Sequence, residues 1–481
     1  MKPAAAIMMA VAMVLGACSS AESYLPDDAR TRAADAQVRA RWGKGLADLP
    51  QETLVLISPH NRNIQQEFEW AFSLDQALRR GRRVRCEWRD VGGGGSAIRK
   101  HLTNVLVVGK ASSADIDVLW GGGDLDYPFY TQNQMLERLD LRPEILEQIP
   151  RELGGVTFYE KDGYWAGSVV SAFGFVYNAT MLRRCGVAFP AQWQDLARPE
   201  LADRITLADP AQSSSAAAAY LTVVRSGKDW PDGWARLLAM LANADRFSDS
   251  AGTAASGPLV GTALVAACID FYGALRVAEA PGEIVYVSPH GQTTFTPDPI
   301  AVLRKPPHPE LAQEFVNFVL SARGQALWAL PVGSPDGPVR NALGRLPIRK
   351  DVYRLYGGQF MGGLADPYEA GQSMTLQGFG RKVSFDALRQ LVKTAAVDNA
   401  QALKAARRRM AAAAGADEAA ALRRQFNRLP DNVATLEEMA KLSPRLKDEV
   451  EREKLLTQWQ AFFAEKYDRI ARGLASPENA P

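Results

Sequence analysis

Two rhythms of apolar and polar positions follow each other along this chain. Leu54-Val55-Leu56-Ile57 is a continuous apolar run stopped by Ser58-Pro59, which suits a strand buried on both faces of a sheet. Ile64, Phe68, Ala71 and Phe72 then recur at helical spacing and predict an amphipathic helix over residues 61–77. The unit repeats: residues 84–91 alternate like a strand, Gly92-Gly93-Gly94-Gly95-Ser96 is a turn, and residues 97–108 can coil into a helix. A third strand, Ile116-Asp117-Val118-Leu119-Trp120, ends in Gly121-Gly122-Gly123-Asp124. Strands alternating with helices predict a parallel α/β sheet, and ligands gather at the carboxyl ends of such strands.

The β-rich stretch Tyr164 to Asn178 is long enough to carry the chain from one lobe to another. A second α/β set follows: Arg204 to Ala208, a helix opened by Ser213-Ser214-Ser215, and Gly261 to Tyr272. Glu283 to Val287 and Thr293 to Val302 read as strands returning to the first lobe, and Leu311, Phe315, Phe318 and Val319 mark an amphipathic helix. From residue 357 the texture changes. Gly357-Gly358 and Gly362-Gly363 form a spacer, and Val383 onward is helical and rich in Ala, Arg and Glu. Its basic run, Lys404 to Arg409, reads as a solvated helix face because acidic residues accompany it.

At 481 residues the chain is long enough for two or three folded units, and a 47% hydrophobic share supplies their cores. A formal net charge of +2 without a basic stripe argues against nucleic acid as a partner. Lys2, the apolar run Ala4 to Val14 and Leu15-Gly16-Ala17-Cys18 form an export signal, too short for the ~20 residues of a spanning helix. The last four of these residues resemble the bacterial lipobox. That resemblance makes residues 1–17 a lipoprotein signal peptide and Cys18 the lipidated residue, anchored to the membrane by diacylglyceryl and palmitate-type chains. Residues 18–52 show no apolar face and read as a tether. The remaining cysteines, Cys86, Cys185 and Cys268, sit in apolar surroundings without CxxC spacing, so a metal-cysteine site is not expected.

The order of these pieces resembles the bacterial extracellular solute-binding proteins of the ferric-iron type. The likeness rests on Leu54 to His60 before a helix, Ile116 to Gly123, and Ala172-Phe173-Gly174-Phe175-Val176-Tyr177-Asn178. Asp209 to Ser214, and Ser321-Ala322-Arg323-Gly324-Gln325 inside the stretch Leu311 to Trp328, complete it. The resemblance implies a two-lobe type II periplasmic-binding-protein fold of α/β class, with hinge strands and a C-terminal helical extension. Lobe 1 is then residues 53–165 and 285–356, lobe 2 residues 166–284, and the extension residues 357–481. It also implies a lipid-anchored protein of the periplasm or cell envelope. Its partners would be a small solute and an ABC-type permease in the inner membrane, and it would catalyse nothing.

Helix starts expose unpaired N–H groups and suit anions. The candidate ligand residues are therefore Ser58, His60 and Asn61 after the first strand, Ser96, Gly122 and Asp124 at the next loops, and Ser213 and Ser214. Resembling iron binders carry two adjacent tyrosines in the second lobe; the comparable stretch here, Ile269-Asp270-Phe271-Tyr272-Gly273, keeps one of the pair, and its Asp270 and Tyr272 are further candidates to line the cleft. A small anionic solute such as an organophosphate is the favoured ligand, with no cofactor and no resident metal. The alternatives are transported Fe3+, held by Tyr272 and His60, and a non-transport envelope scaffold. No nucleophile elbow, HExxH or Walker loop supports an enzyme.

Overall fold

The structure is a computed structural model and describes residues 25–474 apart from 363, 377–382, 384 and 447, so Cys18 and the apolar leader lie outside the described residues. The chain divides into two compact units. Among the described residues, one comprises residues 25–53 together with Glu69–Arg85, the other Leu54–Phe68 with the residues from Cys86 to 474.

The smaller unit holds α1 (Ala29–Trp42), whose first turn is capped by Asp28, accepting from the Thr31 N–H at 2.7 Å. Val38 and Ala34 are buried, and the Trp42 indole donates to the Ala77 carbonyl at 3.0 Å. From Ala29 the segment expected as a tether is thus a docked helix. Its apolar contact is two small side chains one turn apart, too narrow a stripe to stand out from its Arg and Asp neighbours.

The strand–helix repeats form as their patterns predict: β1 (Gln51–Ile57), α2 (Arg62–Arg80), β2 (Arg83–Arg89), α3 (Gly95–Leu102) and β3 (Val118–Trp120). The stretch expected to cross between lobes is two strands, β4 (Ala166–Ser171) and β5 (Phe173–Asn178), separated by Ala172 alone. All their residues are buried, and they lie in different sheets. Next come β6 (Ile205–Ala208), α4 (Ser214–Arg225), α5 (Trp230–Ala242), β7 (Ala244–Ser248), β8 (Val265–Ile269), α6 (Asp270–Glu279), β9 (Ile284–Val287), β10 (Thr296–Val302), α7 (Pro309–Val319) and α8 (Ala322–Ala329).

In the first sheet β1 pairs parallel with β3, Leu56 opposite Val118, and β10 runs antiparallel between β3 and β4. The second sheet has the order β9-β5-β8-β6-β7, with β5 antiparallel to both its neighbours. The return crossing therefore lies between Val287 and Thr296. The lobe boundary expected at residue 285 falls later, because β9 pairs with β5, Val285 opposite Tyr177. Periodicity identifies a strand but not the sheet that receives it.

The extension carries α9 (Phe385–Val392), α10 (Ala400–Ala411), α11 (Ala416–Asn427) and α12 (Glu449–Ala471). Its Leu388, Leu391, Leu403, Phe426, Trp459 and Phe463 share one core with Leu207, Trp234 and Val265 of the second lobe. The basic run is largely spent on that lobe. Lys404 Nζ donates to the Asp245 carbonyl at 2.7 Å and pairs with Asp203, Arg407 also pairs with Asp203, and Arg409 with Glu418, while Arg408 stays exposed. Cys185 is exposed, unlike the buried Cys86 and Cys268, because it follows the last turn of a short helix rather than lying in a strand. No described helix is long and apolar enough to cross a membrane.

Candidate functional site

The loops at the carboxyl ends of β1 and β3 meet. Gly121, Gly122 and Gly123 all have φ between 81° and 96°, a conformation L side chains rarely adopt. A Cβ on Gly121 would stand 2.8 Å from His60 Nε2, and one on Gly95 would stand 3.2 Å from the Gly122 carbonyl oxygen. Backbone thus packs on backbone here, which brings Ser58, His60, Gly95, Ser96 and Gly122 into one corner of the first lobe.

Several side chains in this corner serve local structure. Ser58 Oγ accepts from the His60 N–H at 3.1 Å, and Asn61 Oδ1 caps α2 by accepting from the Ile64 N–H at 3.1 Å. Ser96 is exposed in the first turn of α3, and Gly122 is exposed with it. Across the molecule Ser213 is the N-cap of α4, its Oγ accepting from the Ala216 N–H, while Ser214 is exposed beside it.

His60 is buried, and its Nε2 lies 3.3 Å from Arg345 Nη1 and 3.5 Å from Asp298 Oδ2. Burial pulls its pKa down, the carboxylate of Asp298 opposes this, and Arg345 adds to it. A guanidinium therefore lies beside Nε2, while Nδ1 is buried without a hydrogen-bond partner among the described residues.

Arg345 is the centre that sequence reasoning missed. Only 3% exposed, it donates from Nη2 to Ser171 Oγ and to Asp298 Oδ2, both at 2.7 Å, and its guanidinium lies over the rings of Phe271 and Trp328. Asp298 also accepts from the Gly123 N–H at 2.8 Å. Burial pushes the Asp298 carboxyl up, but Arg345 and His60 more than offset this and hold it well below the usual carboxylate range. One arginine thus ties the ends of β4 and β10, the His60 turn and the second-lobe residue Phe271 together. A single Arg in the loop after α8 carries no sequence signal of that role.

Asp270 is buried under the first crossing. Its two oxygens accept from the Ala172 and Phe271 N–H groups, each at 2.8 Å. Burial pushes its carboxyl up to about 7, against those hydrogen bonds and the nearby Arg345. Tyr272 is half-buried against Phe271 and Gly252, and burial raises its phenol, which disfavours the phenolate that iron needs. Asp124, on the loop after β3, acts electrostatically on Arg225 at the end of α4, whose guanidinium burial lowers to about 10 while Asp124 opposes the shift. Residues of both lobes meet where the Arg345 guanidinium lies over the Phe271 ring. No group of three or more His, Cys, Asp or Glu residues fit to hold a metal occurs among the described residues.

Residues 127–350 match the family model described as bacterial extracellular solute-binding protein. The phosphoglycerate transport regulatory protein PgtC of Salmonella typhimurium is 24% identical over 220 residues, 46% of this chain and 52% of that protein. The chain thus spans about half the length of the curated relatives it matches. Among solved structures, the ferric iron-binding protein A of Mannheimia haemolytica, in an open conformation, aligns with a TM-score of 0.50 at 15% identity. That alignment covers 71% of this chain and 98% of the other. The matched span is similar to the extracellular solute-binding proteins, and the fold is the two-lobe type II periplasmic-binding-protein fold, followed here by C-terminal helices.

Proposed function

We propose that this extracellular solute-binding protein captures a small anionic organic solute, of the organophosphate class, and delivers it to an ABC-type permease in the inner membrane. The observation that carries the reading is the pair of α/β sheets joined by two crossings, with glycine loops and helix starts gathered at the strand ends. Helix starts at Ser96 and Ser213–Ser214 offer N–H groups to an anion without requiring a buried cation. The half-buried Tyr272 would read a hydroxyl or amino group on the rest of the molecule, whereas Asp270, buried with both oxygens bonded to backbone N–H groups, braces the first crossing. The name of the Salmonella relative supports the phosphate class. The raised phenol of Tyr272 and the guanidinium beside His60 weigh against Fe3+.

In this reading the body of the protein binds and releases its ligand without chemistry, held at the membrane by acyl chains on Cys18. Thermal unfolding with 3-phosphoglycerate tests it. At a concentration about 100-fold above Kd the folded state gains about 2.7 kcal/mol, so the colourless protein should melt a few degrees higher. Iron binding with a visible phenolate charge-transfer band, lost in Tyr272→Phe, would overturn the organophosphate reading in favour of iron transport. No stabilisation by any phosphate ester or by iron would point to an envelope scaffold.

A further inference from the structure

Beyond the two β crossings, the chain passes from the first lobe to the second a third time. The helix Lys350–Tyr356 belongs to the first lobe, because just before it Leu346 bridges to Val170 of β4 and the Ile348 N–H donates to Gln325 of α8 at 2.7 Å. α9 belongs to the second lobe: Leu388 and Leu391 lie in that core, and Arg389 donates to the Pro210 and Ala211 carbonyls of the turn before α4.

Between these anchors, residues 366–376 run along the second crossing. Tyr368 fixes the start of the run to the first lobe: its hydroxyl donates to the Ile348 carbonyl, and its ring meets that of Tyr353 edge-on, 5.6 Å between centroids. Contact with the crossing follows. The Gly291 N–H donates to the Gln372 carbonyl at 3.2 Å, the Met374 N–H donates to the Thr293 carbonyl at 2.8 Å, and Ser373 pairs with Thr293 as a parallel bridge. The run then returns to the first lobe, where the Leu376 N–H donates at 3.1 Å to the carbonyl of Gly154, in the hairpin joining Glu152–Leu153 to Val156–Thr157. Gln372 and Met374 are buried. Gly371 has a φ of 79°, and a Cβ there would stand 2.9 Å from His290 Cε1, so only glycine fits the approach to the crossing.

The opposite side of the same crossing is held by the second lobe. Thr293 Oγ1 accepts from the Phe173 N–H at 3.1 Å and donates to the Phe173 carbonyl at 2.8 Å, at the start of β5. The Trp193 indole donates to the Gln292 carbonyl at 2.9 Å. Residues 291–293 therefore lie between a run anchored on the first lobe and a strand of the second. A hinge works by concentrating φ/ψ changes in a few residues, and here such changes would break backbone bonds on one side or the other.

We propose that residues 366–376 are a strap across the hinge that restrains the relative motion of the lobes and so regulates access to the ligand site. This rests on the hinged solute-binding reading above and adds a role for the chain that leads into the extension: it stiffens the second crossing.

The experiment uses the full chain, spin-labelled at Cys185, which is exposed on the second lobe, and at Val108→Cys, an exposed first-lobe position. In this background Gly371→Val forces a branched side chain against His290 and lifts the strap. Hydrogen exchange at the Gly291 and Met374 amides should rise about tenfold, the effect of losing roughly one net hydrogen bond. Electron–electron double resonance on ligand-free protein should give a narrow distance distribution in the unlifted chain. In Gly371→Val the population at other lobe separations should rise about tenfold, broadening it. Unchanged exchange at both amides, or faster exchange with the same distance distribution, would overturn the proposal. Should Gly371→Val not fold, Met374→Pro removes the N–H that bonds Thr293, and the Gly291 amide and the distance distribution decide. Adding 3-phosphoglycerate should narrow the distribution of Gly371→Val; failure to do so would count against that ligand, while the ligand-free comparison still judges the strap.

Discussion

Replacing Arg345 with Met removes the guanidinium but keeps most of the apolar stem between Trp328 and Phe271. Two charge-assisted hydrogen bonds of 2.7 Å disappear, to Ser171 and to Asp298, together with the 3.3 Å contact to His60. The Asp298 carboxylate keeps the Gly123 N–H but loses its cation. Breaking a buried ion pair costs about 3–5 kcal/mol; because 20% of the Asp298 side chain remains exposed, we expect a value near the lower end, about 3 kcal/mol. Urea unfolding at pH 7, followed by tryptophan fluorescence, measures it through the shift in midpoint. The difference should also depend on pH. Asp298 has a folded pKa depressed below its unfolded value near 3.8, so its contribution is complete above that value and disappears as pH falls further. Wild type and Arg345→Met should therefore converge on acidification below about pH 4. A loss under about 1 kcal/mol, or a difference that does not change with pH, would refute the placement of this pair at the centre of the hinge.

Asp270 should give a pH effect of opposite sign: its carboxyl is raised to about 7, so the folded state holds a proton that the unfolded state has lost, and stability should fall as pH rises from about 4 to 7. Asp270→Asn should flatten that slope, and an unchanged slope in urea unfolding between these pH values would refute the assignment. Cys18→Ser should move the protein from the membrane to the soluble fraction; unchanged membrane association in cell fractionation would remove the lipid anchor from the proposal. Small-angle scattering should show compaction when a ligand that demonstrably binds is added, as two lobes joined by two β crossings swing together. A constant radius of gyration would count against closure.

The pattern of the chain by itself determines the elements and much of their order. Leu54 to Ile57 can be little but a buried strand, and Ser213 before an Ala-rich run reads as a helix cap because a hydroxyl at that place meets an unpaired N–H. The change of texture after residue 356 is equally legible as a helical addition. These are local facts, set by side-chain period and by backbone groups within a few residues of each other. Only the tertiary structure decides which sheet receives Ile284–Val287, that residues 29–42 dock, and that the extension joins the second-lobe core. It alone assembles Arg345 with Ser171, Asp298 and His60, and sets Arg389 on the turn before α4. Each of these pairings joins positions from 47 to 285 residues apart. Burial then gives a lone charge its meaning, since a guanidinium removed from water must find its partners wherever the chain brings them.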